Sequence, residues 1–245
     1  MLTYVPAKDT PRARALQRRP DLAQKEYKKT WLQRHDRACG GLYGVLPLAI
    51  GMPVALTDHV DRSEKSLLRG RIGMIVGWDE DVKECAEEHA GRRVLKHLPL
   101  VVYVQFRKAD GTPEDWKVDG IEEPGVYPIT ATKKDWFLDK GRQYPCLSVC
   151  RQQLPLAPAF AVTAHASQGQ TLHNGAIVDL ALTGNGNPLT AYVGIIRVPS
   201  VEKLIIYRPF SPEVFQRGNA QGRTLLMQVL RKEDEVNWDE IIEQY

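Results

Sequence analysis

The sequence predicts an α/β protein. It should contain a mostly parallel sheet covered by helices, an inserted small antiparallel β-barrel, and a basic helix in front of both. Three observations carry that expectation. Beyond about residue 150, short runs of Val, Ile and Leu alternate with helical segments, the order that lays helices over a parallel sheet. Between Tyr43 and Cys146, β-branched and aromatic runs are instead separated by Gly, Pro and Asp turns, as antiparallel strands are. Ahead of these lies a segment dense in Lys and Arg.

Residues 1–20 hold Pro6, Pro11 and Pro20 among many charges and are expected to be loosely ordered. Asp21 can then cap a helix running to about Arg37, with Lys25, Lys28 and Lys29 on neighbouring helical positions. Strands are expected over residues 53–57, 71–78, 98–107 and 125–130, the barrel lying within 70–140. In the final third, 159–163 reads as a buried strand, 167–172 as a turn into a short helix, 175–180 as a second strand, 188–198 as a helix and 203–207 as a third strand. The three strands should share one parallel sheet. Ser211-Pro212-Glu213 has the form of a helix start, and further helices are expected over 224–231 and after Asn237. The corresponding segments are 1–42, 43–150, 151–210 and 211–245.

Composition narrows the class. With 245 residues and 43% hydrophobic side chains, the chain can bury a substantial core without disulfide staples. Cys39, Cys85, Cys146 and Cys150 are scattered and no signal-peptide pattern precedes them, so reduced thiols and an intracellular setting are expected, the compartment left open with nucleus or organelle among the options. Cys146 and Cys150 with His97 or His165 lack the second paired set of a zinc site, and no metal site is expected. The longest apolar stretch, residues 46–56, is broken by Pro47, Gly51 and Pro53 and is too short to span a bilayer, so no membrane partner is expected. Residues 8–37 carry ten basic against four acidic side chains, whereas the tail is acidic from Glu233 to Glu243. Such an arm suits a phosphate backbone through counterion release, although a charged run is more often simply a solvated helix.

The densest pattern is QLPLAPAFAVTAHASQGQTL, from Gln153 to Leu172, followed by TAYVGIIRV with Arg197 embedded. It resembles the C-terminal motor half of PIF/RecD-like DNA helicases. Leu154, Pro155, Leu156, Ala159, Ala161, Thr163, His165, Ser167, Gln168, Gly169, Thr171 and Leu172 match the family pattern. Departures occur at Ala166, Thr190, Ile196 and Pro199, where the family carries lysine, glutamine, serine and a second arginine. A looser likeness runs through GMPVALTDHVDRSEKSLLRGRIGMIVGW, with His59 and Arg69 at asparagine positions. The resemblance implies a RecA-like sheet of the P-loop NTPase type and an inserted barrel of the Src-homology type. It implies Arg197 as an arginine finger on a γ-phosphate, Gln168 and Gly169 facing the nucleotide, and Thr163, His165 and Ser167 contacting DNA phosphates. Single-stranded DNA or RNA is the implied partner, together with an N-terminal motor half in cis or in trans. ATP and Mg²⁺ are expected only when that half completes the site.

A complete motor needs a glycine-rich loop ending in Gly-Lys, and no Gly-Lys dipeptide occurs. Lys65-Ser66 lacks the glycines that admit a pyrophosphate, so the chain by itself is not expected to be an ATP-driven motor. The strand ending in Asp79-Glu80 imitates a Mg²⁺ motif but is read as a solvated acidic turn, because no phosphate loop accompanies it. The glycines of 184–188 read as a loop before a helix. His165 and Ser167 do not make a hydrolase, because no Gly-x-Ser-x-Gly elbow exposes the serine. Two alternatives stay open: a non-catalytic nucleic-acid- or protein-binding module with a helicase-derived fold, and a structural ion pair between Arg197 and Asp179 or Glu202.

Overall fold

The computed structural model describes residues 1–84, 86–89, 91–108, 110–173, 175–181 and 188–216. Expectations for 184–187, for 224–231 and for the segment after Asn237 lie outside the described residues. The chain divides into two compact units, Met1–Ala161 and Val162–Tyr245. The first contains β1 (Leu2–Pro6), β2 (Lys8–Pro11), α1 (Ala13–Arg18), α2 (Lys25–Leu32), β3 (Val45–Leu48), β4 (Pro53–Leu56), β5 (Ile72–Asp79), β6 (Glu87–His89), β7 (Arg92–Val94), β8 (Val101–Phe106), β9 (Val126–Ile129), β10 (Thr132–Phe137), β11 (Ser148–Gln153) and β12 (Leu156–Pro158). The second contains β13 (Ala176–Val178), α3 (Pro188–Ile195), β14 (Leu204–Ile206) and α4 (Glu213–Gln216).

Three sheets build the first unit, in the orders β3-β1-β7-β6, β10-β11-β2 and β12-β4-β5-β8-β9. The five-stranded sheet is antiparallel throughout and turns one face inward. Val54, Leu56, Ile75, Val102, Val104, Phe106 and Ile129 of that sheet are buried, as alternation dictates for a sheet covered on one side. They share a core with Val5, Leu46 and Leu48 of the four-stranded sheet. The expected strands at 53–57, 71–78, 98–107 and 125–130 are thus β4, β5, β8 and β9. β5 carries an irregularity between Ile75 and Gly77 that bends it as a bulge does. None of the sheets closes into a barrel among the described residues, so the inserted barrel is replaced by an open antiparallel sheet.

The N-terminal expectations need correction. Residues 1–20 are not loosely ordered: β1 lies between β3 and β7, and β2 pairs with β11. Pro6 and Pro11 sit at strand ends, where a missing N–H costs least. The single helix expected from Asp21 to Arg37 is broken into a 3-10 turn at Pro20–Ala23, α2, and a second turn at Asp36–Cys39. Asp21 does not cap α2. It takes the Arg19 guanidinium in two hydrogen bonds of 2.8 and 2.5 Å, which lowers its carboxyl to about 2.

α1, α2 and the three-stranded sheet enclose a second core of Ala15, Leu22, Trp31, Cys39, Trp136 and Val149, with Trp31 edge-on to Trp136 at 6.0 Å. Beneath it Arg151, 0% exposed, donates to both Asp9 carboxylate oxygens at 2.9 and 2.7 Å and to the carbonyls of Leu42 and Trp31 at 3.1 and 2.7 Å. One guanidinium therefore joins β2, α2, β11 and the loop before β3. Its charge is tolerable in the interior because it is paired and all of these bonds are made.

Two expectations for the last third also change. Residues 159–163 are not a strand: β12 is Leu156–Pro158, an edge strand antiparallel to β4, and Phe160, Ala161, Val162 and Thr163 are exposed. Pro158 fits only because β12 is at an edge. The segment therefore does not share a sheet with β13 and β14, which pair in parallel with each other. β1–β7 and β13–β14 are the parallel pairs among the described residues and the other ladders are antiparallel, so the sheet system is mixed rather than mostly parallel.

Candidate nucleotide and nucleic-acid site

The second unit is a strand-helix-strand unit. Pro188 opens α3, its fixed φ suiting the first turn. Ala191 and Leu180 are buried, with Val178, Ile195 and Phe210 packed around them. Gly194 brings the helix onto β13: a Cβ there would stand 2.9 Å from Val178 Cγ1. At the start of the unit, Ala164–Ser167 forms a 3-10 turn, and Gly169 continues it with φ +77°, a left-handed conformation suited to glycine.

Two hydrogen bonds join this turn to the end of α3. The Leu172 N–H donates to the Arg197 carbonyl at 2.7 Å, and Arg197 Nη1 donates to the Gln170 carbonyl at 3.4 Å. Arg197 Nε also donates to the Val193 carbonyl at 3.2 Å, one turn back along its own helix, where a cation meets the partial negative charge of the helix end. The two parts of the sequence pattern, 163–172 and Arg197, are therefore brought together.

The neighbouring carboxylates are engaged elsewhere. Asp179 receives Arg208 Nε and Nη2, each at 2.9 Å, and this pairing lowers its carboxyl below the usual range. Glu202 is lowered by a hydrogen bond from Ser200. Among the described residues no carboxylate forms an ion pair with Arg197, so the structural pairing with Asp179 or Glu202 is not the arrangement found. The Asp179–Arg208 pair just beyond β13 and β14 was not singled out from the sequence, and only the parallel register that aligns these strands reveals it.

Thr163, His165, Gln168 and Gly169 are exposed. Thr163 opens the turn, its carbonyl accepting from the Ser167 N–H at 3.2 Å, instead of ending a strand. Ser167 points inward at 3% exposure and donates its hydroxyl to the Ala164 carbonyl at 2.7 Å, so that proton is committed to the turn.

Asp79 and Glu80 at the end of β5 do not fit a Mg²⁺ site. Asp79 accepts from the Tyr103 hydroxyl at 2.7 Å, and Glu80 accepts from Arg93 through both oxygens and from Trp78 Nε1 at 3.2 Å. Arg18 Nη1 donates to Cys146 Sγ at 2.9 Å. Among the described residues no group of three or more His, Cys, Asp or Glu is placed to hold a metal, and no helix is long and apolar enough to cross a membrane. Some of the ten basic side chains of the arm are engaged within the protein: Arg12 on Asp135, Arg19 on Asp21, and Arg34 over the Trp136 ring at 5.2 Å.

The sequence matches no protein-family model and no curated protein. Among solved structures the chain resembles the Pif1 helicase of Candida albicans, with TM-score 0.50 and 18% identity over 88% of this chain and 42% of that one. It is also similar to Bacteroides Pif1 bound to single-stranded DNA, with TM-score 0.48 and 15% identity over 78% of this chain and 35% of that one. A Bacteroides Pif1 complex with ADP-AlF3 and single-stranded DNA gives TM-score 0.48 and 17% identity. The chain spans less than half the length of each. At this identity the likeness to the Candida albicans protein is one of fold: the chain has a mixed α/β fold of several sheets, similar to part of a Pif1 helicase.

Proposed function

We propose that this chain is the C-terminal portion of an ATP-dependent DNA helicase of the PIF type, contributing nucleic-acid contacts and an arginine finger to a nucleotide site that an N-terminal motor half completes. The observation that carries the reading is the joining of the 163–172 turn to Arg197, with no carboxylate paired to that guanidinium among the described residues. The fold likeness and the density of the sequence pattern support it.

In this reading ATP and Mg²⁺ are held chiefly by the partner half, because this chain has no Gly-Lys loop and its Asp79 and Glu80 are occupied. Arg197 would release its long 3.4 Å bond to Gln170 and turn its fork onto the charge that develops on the transferred phosphoryl group. Gln168 and Gly169, exposed on the same turn, would face the nucleotide, and Thr163 and His165 would hydrogen-bond a nucleic-acid phosphate. Ser167 would contribute through its lone pairs and through the turn it holds, since its proton is committed.

The test is ATP turnover. The isolated chain should be silent, and fusion or addition of a cognate N-terminal half should yield DNA-stimulated hydrolysis. Arg197→Ala should then lower the rate by roughly 10³-fold or more. Equal turnover after that substitution would sink the finger assignment.

A second reading, a non-catalytic binding module, is favoured by one observation: Arg197 Nε and Nη1 are both satisfied by backbone carbonyls, so the side chain can serve as a helix-end clamp. It predicts no hydrolysis with any N-terminal half.

A further inference from the structure

The outer face of the β2–β11–β10 sheet places cations, hydrogen-bonding side chains and one open aromatic ring on a grid fixed by strand register. Lys8 stands opposite Gln152, which stands opposite Lys133. The next row is Thr10, Cys150 and Asp135. The third is Arg12, whose N–H donates to the Ser148 carbonyl at 2.9 Å, then Ser148 itself, then Phe137. Period-two alternation sends Asp9, Arg151, Val149 and Trp136 to the opposite, buried face; on this one the side chains of β2 and β10 stand in solvent, Ser148 and Gln152 on the central strand are half-buried, and Cys150 between them is buried at 8% exposure. Lys8, Thr10, Arg12 and Lys133 are exposed and Phe137 is 39% exposed.

The charge on this face is positive. Asp135 is the one carboxylate in the grid, and Arg12 covers it through Nε and Nη2 at 2.8–3.0 Å. Lys134, one residue along β10, points to the other side and pairs with Asp58, so it does not compete for the same space. Lys8 and Lys133 form no ion pair among the described residues. They stand two strand spacings apart, roughly 10 Å, at one end of the grid, with Phe137 at the other.

We propose that this face is a binding surface for single-stranded nucleic acid, distinct from the 163–172 turn of the second unit. Lys8 and Lys133 take backbone phosphates, Phe137 stacks an unpaired base, and Thr10, Ser148 and Gln152 supply hydrogen bonds without demanding a particular sequence. A duplex is the wrong occupant, because its bases are already stacked and offer Phe137 no face. The proposal rests on the nucleic-acid-binding part of the reading above but not on its nucleotide chemistry.

The test uses the full chain and a labelled oligothymidylate, read by fluorescence anisotropy over a salt series. Lys8→Glu with Lys133→Glu should weaken binding at least 10-fold and reduce the slope of log affinity against log salt by about 1.4, the share of two single-strand phosphates. Phe137→Ala should weaken binding roughly 5-fold or more and leave that slope unchanged. Lys8→Gln with Lys133→Gln, checked for unchanged circular dichroism, guards against misfolding and should show the same slope change. Thr163→Ala with His165→Ala separates the two surfaces. Loss there with no effect of the sheet variants would overturn this proposal and leave the earlier one standing. Loss only with the sheet variants would support this surface and remove the assigned phosphate contacts of the turn. Equal competition by duplex DNA, or absence of binding at low salt, would overturn the proposal.

Discussion

Two arginines show how environment decides what a guanidinium can do. Arg151 is fully buried and every bond it makes is internal, whereas Arg197 is only partly buried and holds two carbonyls over 3.2 and 3.4 Å. Removing one partner of a buried pair strands the other charge, so Asp9→Ala should destabilise the first unit by about 3–5 kcal/mol in urea denaturation. Arg197→Ala removes weak bonds at a partly solvated helix end and should cost less than about 1 kcal/mol. If both substitutions cost the same, Arg197 is a structural residue and its proposed role in phosphoryl transfer is lost. The Glu80 carboxyl is held below its usual range by Arg93, with Trp78 adding a hydrogen bond. A depressed carboxyl contributes stability that is present above its unfolded value and disappears as pH falls through the folded one. Glu80→Gln should therefore lower stability at neutral pH and flatten the acid limb of the stability profile, with little difference from the parent once Glu80 is protonated in both the folded and the unfolded state.

At the scale of elements, the reach of local sequence is visible strand by strand. β4, β5, β8 and β9 were legible because each alternates or runs apolar between Gly, Pro and Asp turns and pairs antiparallel with a sheet neighbour. β1 and β2 were not, because what orders them is distant: residues 45–48 and 92–94 flank β1, and residues 149–152 pair with β2. No local signal outweighs three prolines there without knowledge of those partners. The run 159–163 failed for the opposite reason, since an apolar stretch has the same composition whether a sheet receives it or solvent does. The meeting of Gln170 and Leu172 with Arg197 was legible only through the family resemblance; no periodicity links positions 25 and 27 residues apart. That meeting depends on how α3 seats on β13. Gly194→Val should overpack Val178, displace the helix and cost about 1–3 kcal/mol, whereas Ile177→Ala on the open side of β13, 68% exposed, should be nearly neutral. Thermal melts of the two variants give the comparison.

For the whole molecule, the two units differ in how much they bury. The first encloses an extended core running from Val5 to Leu156 and a second one around Trp31 and Trp136. Among the described residues of the second, Leu180 and Ala191 are the fully buried apolar side chains, and Ile177, Ile205 and Tyr207 stand in solvent. Local opening free energy follows buried apolar contact, so amide hydrogen exchange should be at least ~100-fold faster in β13 and β14 than in β5 and β8. Equal protection in all four would show that the units open as one cooperative body. The same measurement reaches function, because a ligand that binds only the folded form raises protection by mass action. ATP alone should leave the 163–172 turn and α3 unchanged, since the chain carries no loop to cradle the phosphates. A cognate N-terminal half together with ATP and Mg²⁺ should slow exchange at Leu172, whose N–H is bonded to the Arg197 carbonyl, and Arg197→Ala should abolish part of that gain. Slowing that survives the substitution undiminished would mean that the partner half binds this surface without drawing Arg197 onto the nucleotide, and the binding-module reading would then hold.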